Sequence, residues 1–227
     1  MKKLFIMGCL LAGSISVFSQ KSNEWRIRAR GLGIVPQESA GIGVVGGDIS
    51  IGAAYIPELD FTYFFTKNIA AELILGTSRH TVGTKGSDLS AIGGPSSADI
   101  DLGKVWLLPP TLTLQYHLPL GCGFKPYAGA GVNYTIFYNA SSGPVVKNVS
   151  YQNKFGFATQ LGIDYDISKK LYLNIDVKKI FLKTDATVDA SNLTPSAHPE
   201  LNSVLGNIGA PTKINPWVFG IGIGYKL

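Results

Sequence analysis

Apolar and polar side chains alternate along most of the chain, and a period of two predicts strands rather than helices. In a first strand Trp25, Ile27, Ala29 and Val35 share one face, and Arg26, Arg28 and Arg30 share the other. Leu59, Phe61, Tyr63 and Phe65 oppose Glu58, Asp60, Thr62 and Phe64 in a second. Ala71, Leu73 and Leu75 oppose Ala70, Glu72 and Ile74 in a third, and Leu112, Leu114, Tyr116 and Leu118 oppose Thr111, Thr113, Gln115 and His117 in a fourth. Four more follow, over residues 127–136, 155–165, 171–178 and 217–226. Each runs about ten residues, the length a tilted strand needs to cross a hydrocarbon layer.

The connections alternate in length. Thr66 to Asn68, Pro119 to Phe124 and the turn around Ser168 and Lys169 are short; Pro36 to Ile51, His80 to Gly103, Tyr138 to Asn153 and Thr184 to Asn215 are long. Short turns on one side and long loops on the other are the pattern of transmembrane barrels, and an even strand count lets such a barrel close antiparallel. Closure is required because an open edge would leave backbone groups unpaired in lipid. The expected fold is all-β: an eight-stranded antiparallel transmembrane β-barrel with short periplasmic turns and long extracellular loops. A soluble up-and-down barrel has the same periodicity with its faces reversed, polar side out.

Composition favours the membrane. Charged residues make up only 15% of the chain and hydrophobic ones 45%, against about 25% charged in ordinary soluble domains. Met1-Lys2-Lys3 precedes an apolar run from Leu4 to Phe18, the form of a secretory signal peptide. The expected cut follows Ser19, giving a leader over residues 1–19 and one barrel over residues 20–227. Ile6-Met7-Gly8-Cys9 resembles a lipidation box but falls before most of the apolar run. Without the leader Cys122 is the single cysteine, so no internal disulfide forms. The formal charge of +5 falls to +3 once Lys2 and Lys3 are removed, too mild to suggest nucleic acid as a partner.

Other motifs carry little. Gly41 to Gly46 fits a dinucleotide fingerprint but lies in an outer loop with no βαβ context. His80, His117 and His198 lack metal-ligand spacing, and no nucleophile and base cluster at one barrel mouth. No catalytic residue, metal ligand or cofactor is expected. The sequons at Asn133, Asn148 and Asn192 have no role expected of them in a bacterial outer membrane.

Trp25-Arg-Ile-Arg-Ala-Arg with Val35-Pro36, Leu108-Pro-Pro-Thr-Leu-Thr-Leu-Gln-Tyr-His117, Lys125-Pro-Tyr-Ala-Gly-Ala-Gly-Val-Asn-Tyr-Thr135, Gly162-Ile-Asp-Tyr165 and Ile214-Asn-Pro-Trp-Val-Phe-Gly-Ile-Gly-Ile-Gly-Tyr225 resemble the OmpW family of small outer-membrane proteins. The resemblance runs from the first strand to the last. It implies an eight-stranded barrel that passes small hydrophobic molecules through an apolar interior with a side exit into the membrane. Leu227 stands where members usually carry a terminal aromatic.

Strand directions taken from the loop pattern place Arg26, Arg28, Asp60, Glu72, Asp164 and Asp176 inward in the periplasmic half. Buried charges of both signs must pair, so a salt-bridged periplasmic plug is expected. Toward the outside the inward face becomes Leu32, Ile34, Ile74, Phe137, Ile180, Leu182 and Val218, an apolar cup lining a hydrophobic channel. Pro36, Pro57, Pro109, Pro110 and Pro216 lie near outer strand ends, and each removes a ladder donor, marking a lateral exit. The expected partners are outer-membrane lipid and small hydrophobic solutes. The alternative is a structural or adhesive barrel acting through its extracellular loops. Oligomeric state is not encoded in any feature of the sequence.

Overall fold

The computed structural model describes residues 22–40, 46–90, 93–194, 196, 199, 202–206 and 208–227. The leader, most of the Gly41 to Gly46 motif, and His198 lie outside them. Fifteen strands follow in chain order: β1 (Glu24–Val35), β2 (Ser39–Ala40), β3 (Asp48–Ile51), β4 (Ala54–Phe64), β5 (Ile69–Leu75), β6 (Ser78–Ser87), β7 (Ala98–Leu108), β8 (Thr111–His117), β9 (Phe124–Ser142), β10 (Asn148–Tyr151), β11 (Lys154–Asp166), β12 (Leu171–Phe181), β13 (Lys183–Asp189), β14 (Ile208–Lys213) and β15 (Trp217–Lys226).

Eight of these close a ring in the order β1, β4, β5, β8, β9, β11, β12, β15 and back to β1, every neighbour antiparallel. Closure leaves no free edge at this level, as lipid demands. The orientation of the faces is that of a membrane barrel. Leu114, Leu161 and Ile221 face out and are 60%, 61% and 64% exposed, while Arg28 and Asp60 face in and are 2% and 0% exposed. A belt of apolar side chains this extensive is rare on soluble monomers. Trp25, Tyr63 and Phe65 pack ring to ring at the periplasmic rim, and Trp217 and Phe219 stack near the outer one.

The long connections are not loops throughout. β3, β6, β7 and the outer end of β9 form one sheet beyond the ring, and β10, β13, β14 and β2 form another. The stretch from Thr184 to Asn215, expected as a loop, holds most of β13, a 3-10 turn over Ser191–Leu193, a short helix over Asn202–Leu205 and β14. These strands exist because their alternation continues past the membrane: Val82, Val105, Val149, Val188 and Ile208 all turn inward and pack in one cluster. A second cluster, containing Leu32, Ile34, Ile180, Leu182 and Val218, lies beneath it.

Candidate functional site

The lower apolar cluster encloses a cavity of about 80 Å³. Leu32, Ile34, Ile74, Phe137, Ile180, Leu182 and Val218, the residues expected to line a channel, all form its walls. Inward alternation on five different staves, β1, β5, β9, β12 with its continuation, and β15, brings them together. The cavity is not an open cup. Above it the outer cluster fills the barrel, leaving a smaller cavity of about 40 Å³, and the rings of Phe137 and Tyr151 stack at 5.4 Å where the two clusters meet.

Below the cavity the interior changes character within one strand step. Ile56 is followed inward by Glu58 and Asp60, Leu32 by Arg30 and Arg28, and Ile180 by Lys178 and Asp176. Arg28 donates from Nε to both Asp60 oxygens at 3.0 Å and pairs through Nη2 with Glu72. Arg30 donates from Nε to Glu58 at 2.7 Å and approaches Asp60 and Glu72 at 3.1 and 3.3 Å. Lys178 pairs with Asp176. Asp164 lies 3.5 Å from Arg28 and 3.7 Å from Arg26, and Arg26 donates to Glu24 at 2.7 Å beneath the ring of Phe64. Lower still, Asp166 accepts from Lys125 and Lys226 at 2.7 and 2.6 Å.

Neutral side chains bind this network into one piece. Gln160 donates to Glu72 and Asp176, each at 2.8 Å, and accepts from Thr113 at 3.0 Å. Tyr127 donates to Asp176 at 2.8 Å and accepts from Asn174 at 3.0 Å. The ring of Tyr127 lies flat against Gly162, where any Cβ would collide with it, and Tyr172 sits likewise against Gly224. Inward glycines thus give the floor its aromatic filling. An eight-stranded barrel is just wide enough for its own side chains to fill it, and here, among the described residues, six buried cations and seven buried carboxylates project into the lower interior.

One flank of the cavity is poorly laced. β4 and β5 pair as far as Leu59 with Leu75, and β3 and β6 resume at Ile51 with Val82; no residue from 54 to 58 is paired on that side. Across the same segment β5 and β8 pair to Ile74 with Thr111, and β6 and β7 resume at Ser78 with Leu107. Leu75, Gly76 and Thr77 therefore face Leu108, Pro109 and Pro110, two of which have no N–H to give. Gly76 lines the cavity between these two gaps, with Pro57 on one side and Pro109 on the other. Pro36 and Pro216 also line the cavity, but there the chain is held by Gln37 donating to Ile214 at 3.0 Å and Ile180 donating to Pro216 at 3.1 Å.

The sequence profile of the OmpW family matches residues 21–227. This chain belongs to the OmpW family. It is similar to an uncharacterized outer-membrane protein, y4mB, of Sinorhizobium fredii, with 44% identity over 205 residues, 90% of this chain and 80% of the relative. With outer membrane protein W of Escherichia coli it shares 31% identity over the whole of both chains. Among solved structures it is similar to the crystal structure of OprG from Pseudomonas aeruginosa, at 27% identity and a TM-score of 0.77 over 93% of this chain and 99% of that one. It is an outer-membrane β-barrel by family and by fold.

In this OmpW-family barrel the six charged residues expected in a plug, Arg26, Arg28, Asp60, Glu72, Asp164 and Asp176, do stand in one network. Arg30, Glu58, Lys178, Gln160, Tyr127 and Asn174 belong to it as well. Each obeys the same alternation, so their direction was legible; their partners were not, because those come from strands distant in sequence.

His80 lies on β6, beyond the membrane-crossing staves, and spans the loosened flank. Its Nδ1 sits 2.8 Å from the Gly52 carbonyl and its Nε2 3.0 Å from Ser78 Oγ, so Nδ1–H donates and Nε2 accepts. Burial pushes its pKa below that of a free imidazole, with the Gly52 bond partly opposing. The fold thus favours the neutral ring. Its contribution is present above the free value of about 6.5 and is lost as pH falls through the depressed folded value. Amides of β3 and β6, corrected for intrinsic rates, should exchange faster at about pH 5 than at about pH 7.5, and His80→Gln should remove most of that difference.

Proposed function

We propose that this barrel passes small uncharged apolar molecules across the outer leaflet and releases them sideways into the membrane, after export of the chain and cleavage of its leader behind Ser19. The observation that carries the reading is an apolar cavity lying directly on a charged floor, with Gly76 between two unpaired backbone gaps at its side. An apolar solute gains free energy by leaving water for such walls. Beneath it the same solute would have to displace paired, desolvated charges, each strongly held by its neighbours. The side route past Gly76 costs no ladder hydrogen bond, since none is made there.

In this reading Leu32, Ile34, Ile74, Phe137, Ile180, Leu182 and Val218 form the passage. Arg26, Arg28, Asp60, Glu72, Asp164 and Asp176 form the plug. Pro57, Pro109 and Pro110 keep the exit unlaced, while Pro36 and Pro216 shape the cavity rim.

Gly76 offers the sharpest test. A Cβ there would meet only Ile56 Cδ1 at 3.6 Å and Glu58 side-chain carbons at 3.7 Å and beyond, so Gly76→Leu fits without backbone strain and fills the gap. Cells producing this variant should take up a small apolar tracer several-fold more slowly than those producing the parent, with equal amounts of folded barrel in the membrane. Uptake equal to the parent's would remove the exit from this position.

A further inference from the structure

The outward side of β12 and β15, with β13 and β14 above them, carries a feature that solute passage does not use. Lys179 and Lys183 both point outward from one strand with its continuation, separated by Phe181, which is 47% exposed. Lys183 is directly opposite Lys213 in the β13 to β14 ladder, and both are exposed. Lys179 Nζ lies 4.8 Å from the ring centre of Trp217 and donates to Gln37 Oε1 and to the Asn215 carbonyl, each at 2.6 Å. The nearby Asp185 is engaged by Lys154 at 2.9 Å. Among the described residues none of Lys179, Lys183 and Lys213 has a carboxylate partner. Like charges directly across a ladder destabilise it unless an anion lies between them.

Just below, the outer surface is hollow. Gly31 and Gly33 stand opposite Ile221 and Phe219, and these four residues with Tyr55 and Val177 line a depression on the lipid face. A Cβ on Gly31 would meet nothing within 4 Å, and one on Gly33 only the edge of Tyr55, at 3.4 Å.

A cationic cluster at the outer rim above an apolar trough suits an amphiphile with an anionic head and acyl chains. We propose that this face holds a phosphorylated glycolipid of the outer leaflet, its phosphate on Lys183, Lys213 and Lys179 and its acyl chains lying along Gly31 and Gly33. The phosphate relieves the repulsion between the two facing lysines, and the chains fill the trough the glycines leave. Trp217 sits where the two regions meet, its indole in the chain region and its face toward the Lys179 ammonium.

The test is a titration of the purified barrel in neutral detergent, followed by Trp fluorescence and native mass spectrometry. The probes are a bisphosphorylated lipid A, the same lipid without phosphates, and inorganic pyrophosphate. We expect saturable binding of the phosphorylated lipid that weakens as salt rises. Lys183→Ala with Lys213→Ala should weaken it about tenfold or more, at about 1 kcal/mol per basic residue near the surface. Gly31→Leu with Gly33→Leu, which fills the trough and leaves the lysines, should also weaken it several-fold while preserving the heat-modifiable gel mobility of a folded barrel. Equal binding of the phosphorylated and dephosphorylated lipids would overturn the proposal, as would full affinity in the lysine variant. Pyrophosphate binding as tight as the lipid, or full affinity in the glycine variant, would reduce the feature to an anion site and refute the lipid. Tracer uptake through the barrel should be unchanged in both variants, which separates this inference from the passage reading.

Discussion

Asp60→Asn combined with Glu72→Gln should lower the stability of the folded barrel by about 3–5 kcal/mol, the cost of leaving a buried cation without its partner. Arg28 bonds both carboxylates and Arg30 approaches both, so the double change strips one guanidinium of its main partners and weakens the hold on the other. Neither arginine can shed its charge. The amides that replace the carboxylates keep the volume, so no cavity accounts for the loss. The measurement is denaturant unfolding in lipid vesicles, read by the slower gel mobility of the unfolded chain. Arg28→Met added to the double variant should recover part of the loss, because an apolar group of similar length removes the orphaned charge. Ion conductance across a planar bilayer should rise in the double variant if the floor is what closes the barrel. Unchanged midpoint and unchanged conductance together would show that the network is neither a stabilising unit nor a plug.

Ile74→Asn with Val218→Asn should cut apolar tracer uptake by about tenfold or more, since two polar amides on the cavity wall remove much of the solute's gain on leaving water. Ile74 and Val218 are 5% exposed, on staves on different sides of the cavity, and both lie above the charged floor. Asparagine is no larger than isoleucine or valine, so both replacements fit the space. Uptake should be measured for a homologous series of alcohols or alkanes in vesicles. The parent should favour longer chains, and the variant should lose that slope. Identical uptake by parent and variant across the series would exclude the cavity as the route.

The resemblance and the period-two pattern gave all eight membrane-crossing staves, the sense of every inward face and the short turns. They could do so because alternation is written residue by residue: in Trp25-Arg-Ile-Arg-Ala-Arg30 the side of each Cβ follows from strand geometry alone. The outer strands were missed where the signal weakened. β6 is rich in Gly, Ser and Thr and pairs irregularly with β7 near Val82 and Thr84, and β13 and β14 bracket a polar stretch that reads as a loop. The roofing of the cavity was missed for the same reason, since Val82, Val105, Val149, Val188 and Ile208 become one cluster only when those strands form.

Read alone, the sequence determined that the chain alternates, closes as an antiparallel ring and turns Arg26, Arg28, Asp60, Glu72, Asp164 and Asp176 to the axis. Which arginine meets which acid was decided by the ring itself: Arg28 and Glu72 are 44 residues apart, and only the shared tilt of three staves brings them together. The gap beside Gly76 has the same origin. Proline removes a donor wherever it stands, but at Pro36 and Pro216 other backbone groups bridge to the neighbouring chain, whereas Pro57 and Pro109 flank a segment around Gly76 whose backbone pairs with neither neighbour. A side chain's direction is a local property of a strand, whereas its partners and the lacing of its neighbours depend on register between strands, which no single segment contains.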